Sequence, residues 1–99
     1  MIEYIEIHGE RYPFLFSIRA AREVDEAGDI GDISLALMMG WLGLKYGHLG
    51  DKKEMDFTQE DYELWVDVDP SILSKITEVV KRQSKKVGDL SGNPIAPKA

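Results

Sequence analysis

The stretch Ile33-Ser34-Leu35-Ala36-Leu37-Met38-Met39-Gly40-Trp41-Leu42-Gly43-Leu44-Lys45-Tyr46 decides the fold. At 100° per residue, Ile33, Leu37, Trp41 and Leu44 fall on one side of a helix. Leu35, Met38, Met39, Leu42 and Tyr46 fall nearly opposite, and Ala36, Gly40 and Gly43 form a seam of small residues between them. Only Ser34 and Lys45 are polar. A helix apolar nearly all round is a central helix, buried on several sides. Each glycine costs about 1 kcal/mol of helix propensity against Ala, so the seam predicts another element packed close against it. Gly47 is the expected stop, giving a helix over 33–46.

On the N-terminal side, Asp32 is the expected N-cap of this helix, after a short loop from Asp29. Before the loop, Ser17 can cap a helix over 18–27 that ends at Gly28. Ile18, Ala21 and Val24 form its apolar side, and Arg19, Arg22, Glu23, Asp25 and Glu26 its solvent side. Further back, Ile2, Tyr4, Ile5 and Ile7, interleaved with Glu3 and Glu6, read as a strand. His8-Gly9 is a hairpin turn of the kind usually written Asn-Gly. Arg11 to Phe16 returns, with Tyr12, Phe14 and Phe16 on one face. Pro13 cannot donate to a ladder, so this strand should have a free edge there.

On the C-terminal side, a polar loop from Tyr46 leads to Phe57. Thr58 is the expected N-cap of a helix over 59–67, with Asp61 at its third position and acids at the positive end of its dipole. Phe57 and Tyr62 could form a hydrophobic staple. Asp69 then caps a last helix over 70–87, with Pro70 at the first helical position. Ile72, Leu73, Ile76, Val79 and Val80 follow the period of one buried face. Gly88 is the expected stop, and residues 89–99, with two prolines and no period, read as a flexible tail. The fold class is α+β: an N-terminal β-hairpin over 2–16 and about four α-helices in one domain over 1–88.

At 99 residues and 11.2 kDa, the chain supports one modest core and leaves little room for an enclosed active site. Lys and Arg number 12 against 18 Asp and Glu, a net charge of -6. That balance argues against a general nucleic-acid binder, whose affinity rests on cations neutralising phosphates. The absence of Cys excludes disulfides, thiolate nucleophiles and Cys-ligated zinc. A small secreted scaffold without disulfides would be unusual, so a cytoplasmic home is expected. Met1 leads straight into acidic sequence, unlike a signal peptide. The apolar run from Ile33 to Leu44 is about 18 Å as a helix, short of a bilayer core of about 30 Å.

Catalytic motifs are not found: no Gly-x-Ser-x-Gly, no His-Glu-x-x-His and no phosphate-binding glycine loop. No metal, cofactor or enzymatic activity is expected. His8 and His48 each adjoin a glycine in expected loops and read as surface residues. Residues 51–69 hold eight acids, but without the ligand order of a calcium loop. They read as caps, dipole partners and solvated faces. Charge is split along the chain. Residues 1–69 carry six basic and sixteen acidic side chains, net -10, and residues 70–99 carry six and two, net +4. The basic end of the last helix either complements the helix dipole or contacts an acidic partner, RNA or a membrane surface.

Met38, Met39 and Trp41, with Leu42 and Tyr46, read either as core or as a partner-binding surface. The surface reading is quantitative, because two thin amphipathic helices and a hairpin fall short of covering a helix apolar all round. Trp65, on a short acidic helix, is a second candidate anchor.

The order of these elements resembles the small tail assembly chaperones of long-tailed phages and prophages. The likeness runs through the hairpin Ile5-Glu6-Ile7-His8-Gly9-Glu10-Arg11-Tyr12-Pro13-Phe14-Leu15-Phe16, the amphipathic Ile18-Arg19-Ala20-Ala21-Arg22-Glu23-Val24 and the apolar helix Leu35 to Tyr46. It continues through Phe57-Thr58-Gln59-Glu60-Asp61-Tyr62-Glu63-Leu64-Trp65-Val66 into the helix begun by Asp69-Pro70, covering roughly residues 2–87. His8 stands where Asn would be common. The resemblance implies a non-enzymatic factor of the host cytoplasm, not part of the mature virion. Such a factor binds the tape-measure protein, helps recruit tail-tube protein and often forms a homo-oligomer. The resemblance also implies a longer product in many members, made by frameshifting near the end of the short gene, a place that Leu90 to Ala99 would suit here. The alternative reading of the residues is a small acidic regulatory or adaptor protein, antitoxin-like or a transcription cofactor, that binds through the basic end of its last helix.

Overall fold

β1 (Glu3–Ile7) and β2 (Glu10–Phe14) pair antiparallel, with Ile7 opposite Glu10, Ile5 opposite Tyr12 and Tyr4 opposite Pro13. The computed structural model describes residues 2–91, with side chains described through Ser84. His8 (φ 54°) and Gly9 (φ 78°) both take left-handed backbone, as a two-residue hairpin turn of matching twist requires. Ile5 and Ile7 point into the core, while Tyr4 and Glu6 point out. Counted from the turn, Tyr4 and Pro13 form a non-hydrogen-bonded pair, so the Pro13 nitrogen faces away from β1.

That outer side of β2 is the predicted free edge, but it is not left to solvent. Pro13 is fully buried. The covering element is α2 (Asp32–Gly50), the central helix, and its glycine seam is the contact line. The Leu15 amide donates to the Gly43 carbonyl at 2.9 Å. A Cβ on Gly43 would enter the Phe14 ring, and one on Gly47 would meet the Pro13 carbonyl and lie 2.6 Å from the Phe14 nitrogen. Gly40 faces Tyr62 and Ile76 in the same way. The helix propensity lost to these glycines is offset by backbone approach that no side chain would permit.

The same helix corrects two expectations. It does not stop at Gly47, which keeps helical backbone because its role is close approach, and α2 continues through His48 to Gly50. Its end is made by Lys52 in the left-handed region (φ 56°), with the Lys53 amide donating to the His48 carbonyl at 2.9 Å. Its N-cap is Gly31 (φ 85°) and not Asp32, which is the first helical residue.

α1 (Ile18–Ala27) begins where predicted, with Ser17 Oγ accepting from the Ala20 amide at 3.1 Å and Gly28 at the C-cap. Ile18 was expected on its apolar side but is 56% exposed; Ala20 is the buried residue, beside half-buried Ala21 and Val24. α3 (Gln59–Val68) carries a reciprocal cap: Thr58 Oγ1 accepts from the Asp61 amide, and Asp61 Oδ2 accepts from the Thr58 amide. Before α4 (Ser71–Ser91), Asp69 Oδ1 accepts from both the Ser71 amide (3.2 Å) and hydroxyl (2.6 Å). Those two donors hold the Asp69 carboxyl below its ordinary pKa. Pro70 is a turn residue ahead of the helix rather than its first residue.

α4 runs past the expected stop at Gly88 to Ser91, so residues 89–91 are helical and not tail. A single glycine costs a helix about 1 kcal/mol without ending it. The remainder of the expected tail, 92–99, lies outside the described residues. Ile72, Ile76, Val79 and Val80 are buried, as their period predicts. One hydrophobic cluster joins the hairpin, α1, α2, α3 and α4, centred on Phe14, Leu44, Tyr62, Ile72 and Ile76.

Candidate binding surface

Around α2 the two apolar sides predicted from sequence meet different neighbours. The Leu37–Trp41 side meets α3: the Tyr62 hydroxyl donates to the Leu37 carbonyl at 3.0 Å, and the Trp41 ring lies 6.1 Å from the Tyr62 ring. The Leu42–Tyr46 side meets α1: the Tyr46 hydroxyl bonds the Glu23 carboxylate, and the Arg19 guanidinium lies 4.9 Å above the Tyr46 ring. Burial pushes the Tyr62 hydroxyl pKa far up, and the bond to Glu23 raises that of Tyr46. Both phenols are therefore neutral donors at physiological pH.

Of the six candidate contact residues, Leu42 (4% exposed) and Tyr46 (8%) belong to the core and are removed from the surface. Met38, Met39, Trp41 and Trp65 are half-buried, packed against the core on one side only. The two tryptophans are brought together through Phe57, the residue before the α3 cap. The Phe57 ring centroid is 4.9 Å from that of Trp65, 5.5 Å from Tyr12 and 6.0 Å from Trp41. Edge-to-face and tilted ring pairs of this kind contribute roughly 0.5–1.5 kcal/mol each beyond area burial.

His48 is also in this cluster, which corrects its reading as a surface loop residue. It lies on the last turns of α2, 4% exposed, with its ring 5.5 Å from Phe57 and 6.1 Å from Tyr12. Its Nδ1 sits 2.7 Å from the Leu44 carbonyl, so Nδ1 carries the proton and donates. The sequence signal for this was the helical register: position 48 follows Trp41 and Leu44 around the same side of α2. His8 does lie exposed in the hairpin turn, with its ring edge-on to Trp65 at 5.8 Å.

Apolar surface remains outside the core. In the first half of α2, every residue from Leu35 to Met39 is half-buried, and Ile33 is 72% exposed. That half of the helix is incompletely covered on all sides. Leu64 (56%) and Val68 (79%) project from α3 and were not singled out from sequence. The signal was present, since both lie roughly 200–240° around the helix from buried Tyr62.

The basic residues of α4 are partly engaged inside the chain. Lys75 Nζ donates to the Glu6 carbonyl at 3.0 Å, and Arg82 pairs with Glu3 at 2.6 Å. Between β1 and α4 lies a surface groove of about 420 Å³ lined by both signs of charge. Among the described residues, no group of three or more His, Asp or Glu is placed to hold a metal ion, and no helix is long and apolar enough to cross a membrane. Comparison with protein-family models, curated proteins and solved structures finds no match to this chain.

Proposed function

We propose that this chain is a tail assembly chaperone of the phage or prophage type, acting by binding and without catalysis. Its client is the tape-measure protein, and it helps bring tail-tube subunits to that client in the host cytoplasm without entering the virion. The observation that supports this reading is the first half of α2. A folded domain with a complete core still leaves a run of half-covered apolar residues there, ending in a 72% exposed isoleucine. Contiguous exposed apolar surface is a feature of interaction sites.

Ile33, Met38, Met39 and Trp41 would lie against apolar helical segments of the client. Methionine adapts its shape to varied partners, which suits a surface that must cover more than one segment. The net charge of -6 keeps the loaded complex soluble. The adaptor reading draws less support, because Arg82, in the basic end of α4, is paired with Glu3 within the chain. Co-purification of the tagged chain with tape-measure fragments tests the proposal. Retention of the fragments supports it, and elution of the chain alone contradicts it.

A further inference from the structure

The outward face of α3 has a composition that the core does not explain. Tyr62 and Val66 are buried and Trp65 is half-buried, so these three hold the helix. The opposite face carries Leu64 and Val68, one turn apart and 56% and 79% exposed. Around them stand Glu60, Glu63 and Asp67, all exposed. Asp61 is occupied by the Thr58 cap, and Glu63 accepts from Gln59 Nε2 at 3.4 Å while staying exposed. Among the described residues, none of Glu60, Glu63 and Asp67 is in an ion pair, and α3 contains no basic residue.

We infer that this face docks a basic amphipathic helix of a partner protein. An i, i+4 apolar pair forms a ridge, and a ridge is covered best by the groove of another helix about 8–10 Å away. At that spacing, Lys or Arg side chains flanking the partner's own apolar stripe reach Glu60, Glu63 and Asp67. Like charge on the partner would be repelled, so the acids select sign while Leu64 and Val68 supply contact area. In its choice of partner the inference rests on the reading of the chain as a binding factor. It adds a second surface, separate from the first half of α2, and a charge requirement on the partner.

The experiment titrates the full chain with three labelled peptides of about 20 residues, long enough to become helical on binding. One is a Leu/Lys amphipathic helix, one its Leu/Glu counterpart, and one a scrambled Leu/Lys sequence without a stripe. Two variants alter the site, L64S/V68S and E60Q/E63Q/D67N. A third, D25N/E26Q/D29N, removes the same charge from the exposed end of α1 and its loop. All are checked for unchanged thermal unfolding, as expected of surface positions. The expected result is binding of the amphipathic Leu/Lys peptide alone, weakened roughly tenfold by either α3 variant and less than about twofold by the α1 control. Equal losses in all three variants, or none, overturn the inference. So does binding of the scrambled peptide with the same affinity. If L64S/V68S instead abolishes self-association of the chain and the peptides do not bind, the face belongs to a second copy and the inference is wrong. The client reading is scored separately, by co-purification with tape-measure fragments, so the two can fail independently.

Discussion

Gly47 of α2 lies directly against the backbone carbonyl of Pro13 in β2, with no room between them for a methyl group. This contact lets the central helix cover the outer edge of the hairpin. It is backbone against helix, so nothing in the neighbourhood can turn aside.

Gly47→Ala should therefore destabilise the protein more than Gly40→Ala. At Gly40 the obstacles are the Tyr62 hydroxyl and the Ile76 Cδ1, the latter at 2.7 Å from the added carbon, both side-chain atoms rather than backbone. Overpacking of this kind costs roughly 1–3 kcal/mol, less about 1 kcal/mol regained in helix propensity. Denaturant unfolding should place Gly40→Ala within about 2 kcal/mol of the parent and Gly47→Ala beyond it. The reverse order would mean that the hairpin does not sit on the glycine seam.

Gln83 ties the far end of the hairpin to α4. Its amide nitrogen donates to the Phe14 carbonyl at 3.1 Å, and its oxygen accepts from the Phe16 amide at 2.6 Å, in a site where Gln83 is only 4% exposed. Gln83→Leu keeps the volume and strands the buried Phe16 amide, whose acceptor is the Gln83 oxygen, at a cost of roughly 1–3 kcal/mol. Thermal unfolding should show one of the largest losses of any single polar substitution in the chain. A variant as stable as the parent would contradict the geometry.

Tyr62 predicts an alkaline limb. Burial raises its folded pKa above its ordinary value, whereas the unfolded tyrosine ionises near pH 10 or so. The stability it contributes is complete below about pH 10 and falls as pH rises beyond it, because the unfolded state then binds fewer protons. Tyr62→Phe should lose about 1 kcal/mol at neutral pH, from the bond to the Leu37 carbonyl, and show a flatter decline above pH 10 or so. Unfolding curves at neutral pH and above about pH 10 read both effects. An alkaline limb unchanged in Tyr62→Phe would assign it to Tyr4, Tyr12 and Tyr46, whose pKa values are also raised.

Much of this architecture is legible in the chain itself. The Ser17 and Thr58 caps, the His8-Gly9 turn and the periods of α2 and α4 each follow from local chemistry. The seam at Gly40 and Gly43 is the clearest case, because its propensity cost demanded a neighbour that the structure supplies in Phe14, Tyr62 and Ile76. Errors arose where one residue type serves two purposes. Gly47 looked like a helix stop because close approach and C-capping leave the same letter in a sequence. A stop at Gly47 puts His48 in a loop, whereas the longer helix sets it beside Phe57. Among the candidate contacts, Leu42 and Tyr46 share a helical side with Met38 and Met39, and periodicity alone does not say how far α1 extends over that side. Leu64 and Val68 fall outside the α3 reading because a lone aliphatic pair in a short acidic helix carries no hot-spot residue such as Trp65 to mark its face.

The half-covered first half of α2 is central to the functional account, and it can be altered without removing a fully buried side chain. Ile33→Ser with Met38→Ser should cost roughly 1–2 kcal/mol, since Ile33 is exposed and Met38 only half-buried. The most direct measurement is the soluble fraction of tape-measure protein co-expressed with the parent chain, with this double variant, or alone. The account predicts that the parent raises the soluble fraction several-fold and that the folded double variant does not. Equal rescue by both chains, or no rescue by the parent, would contradict it.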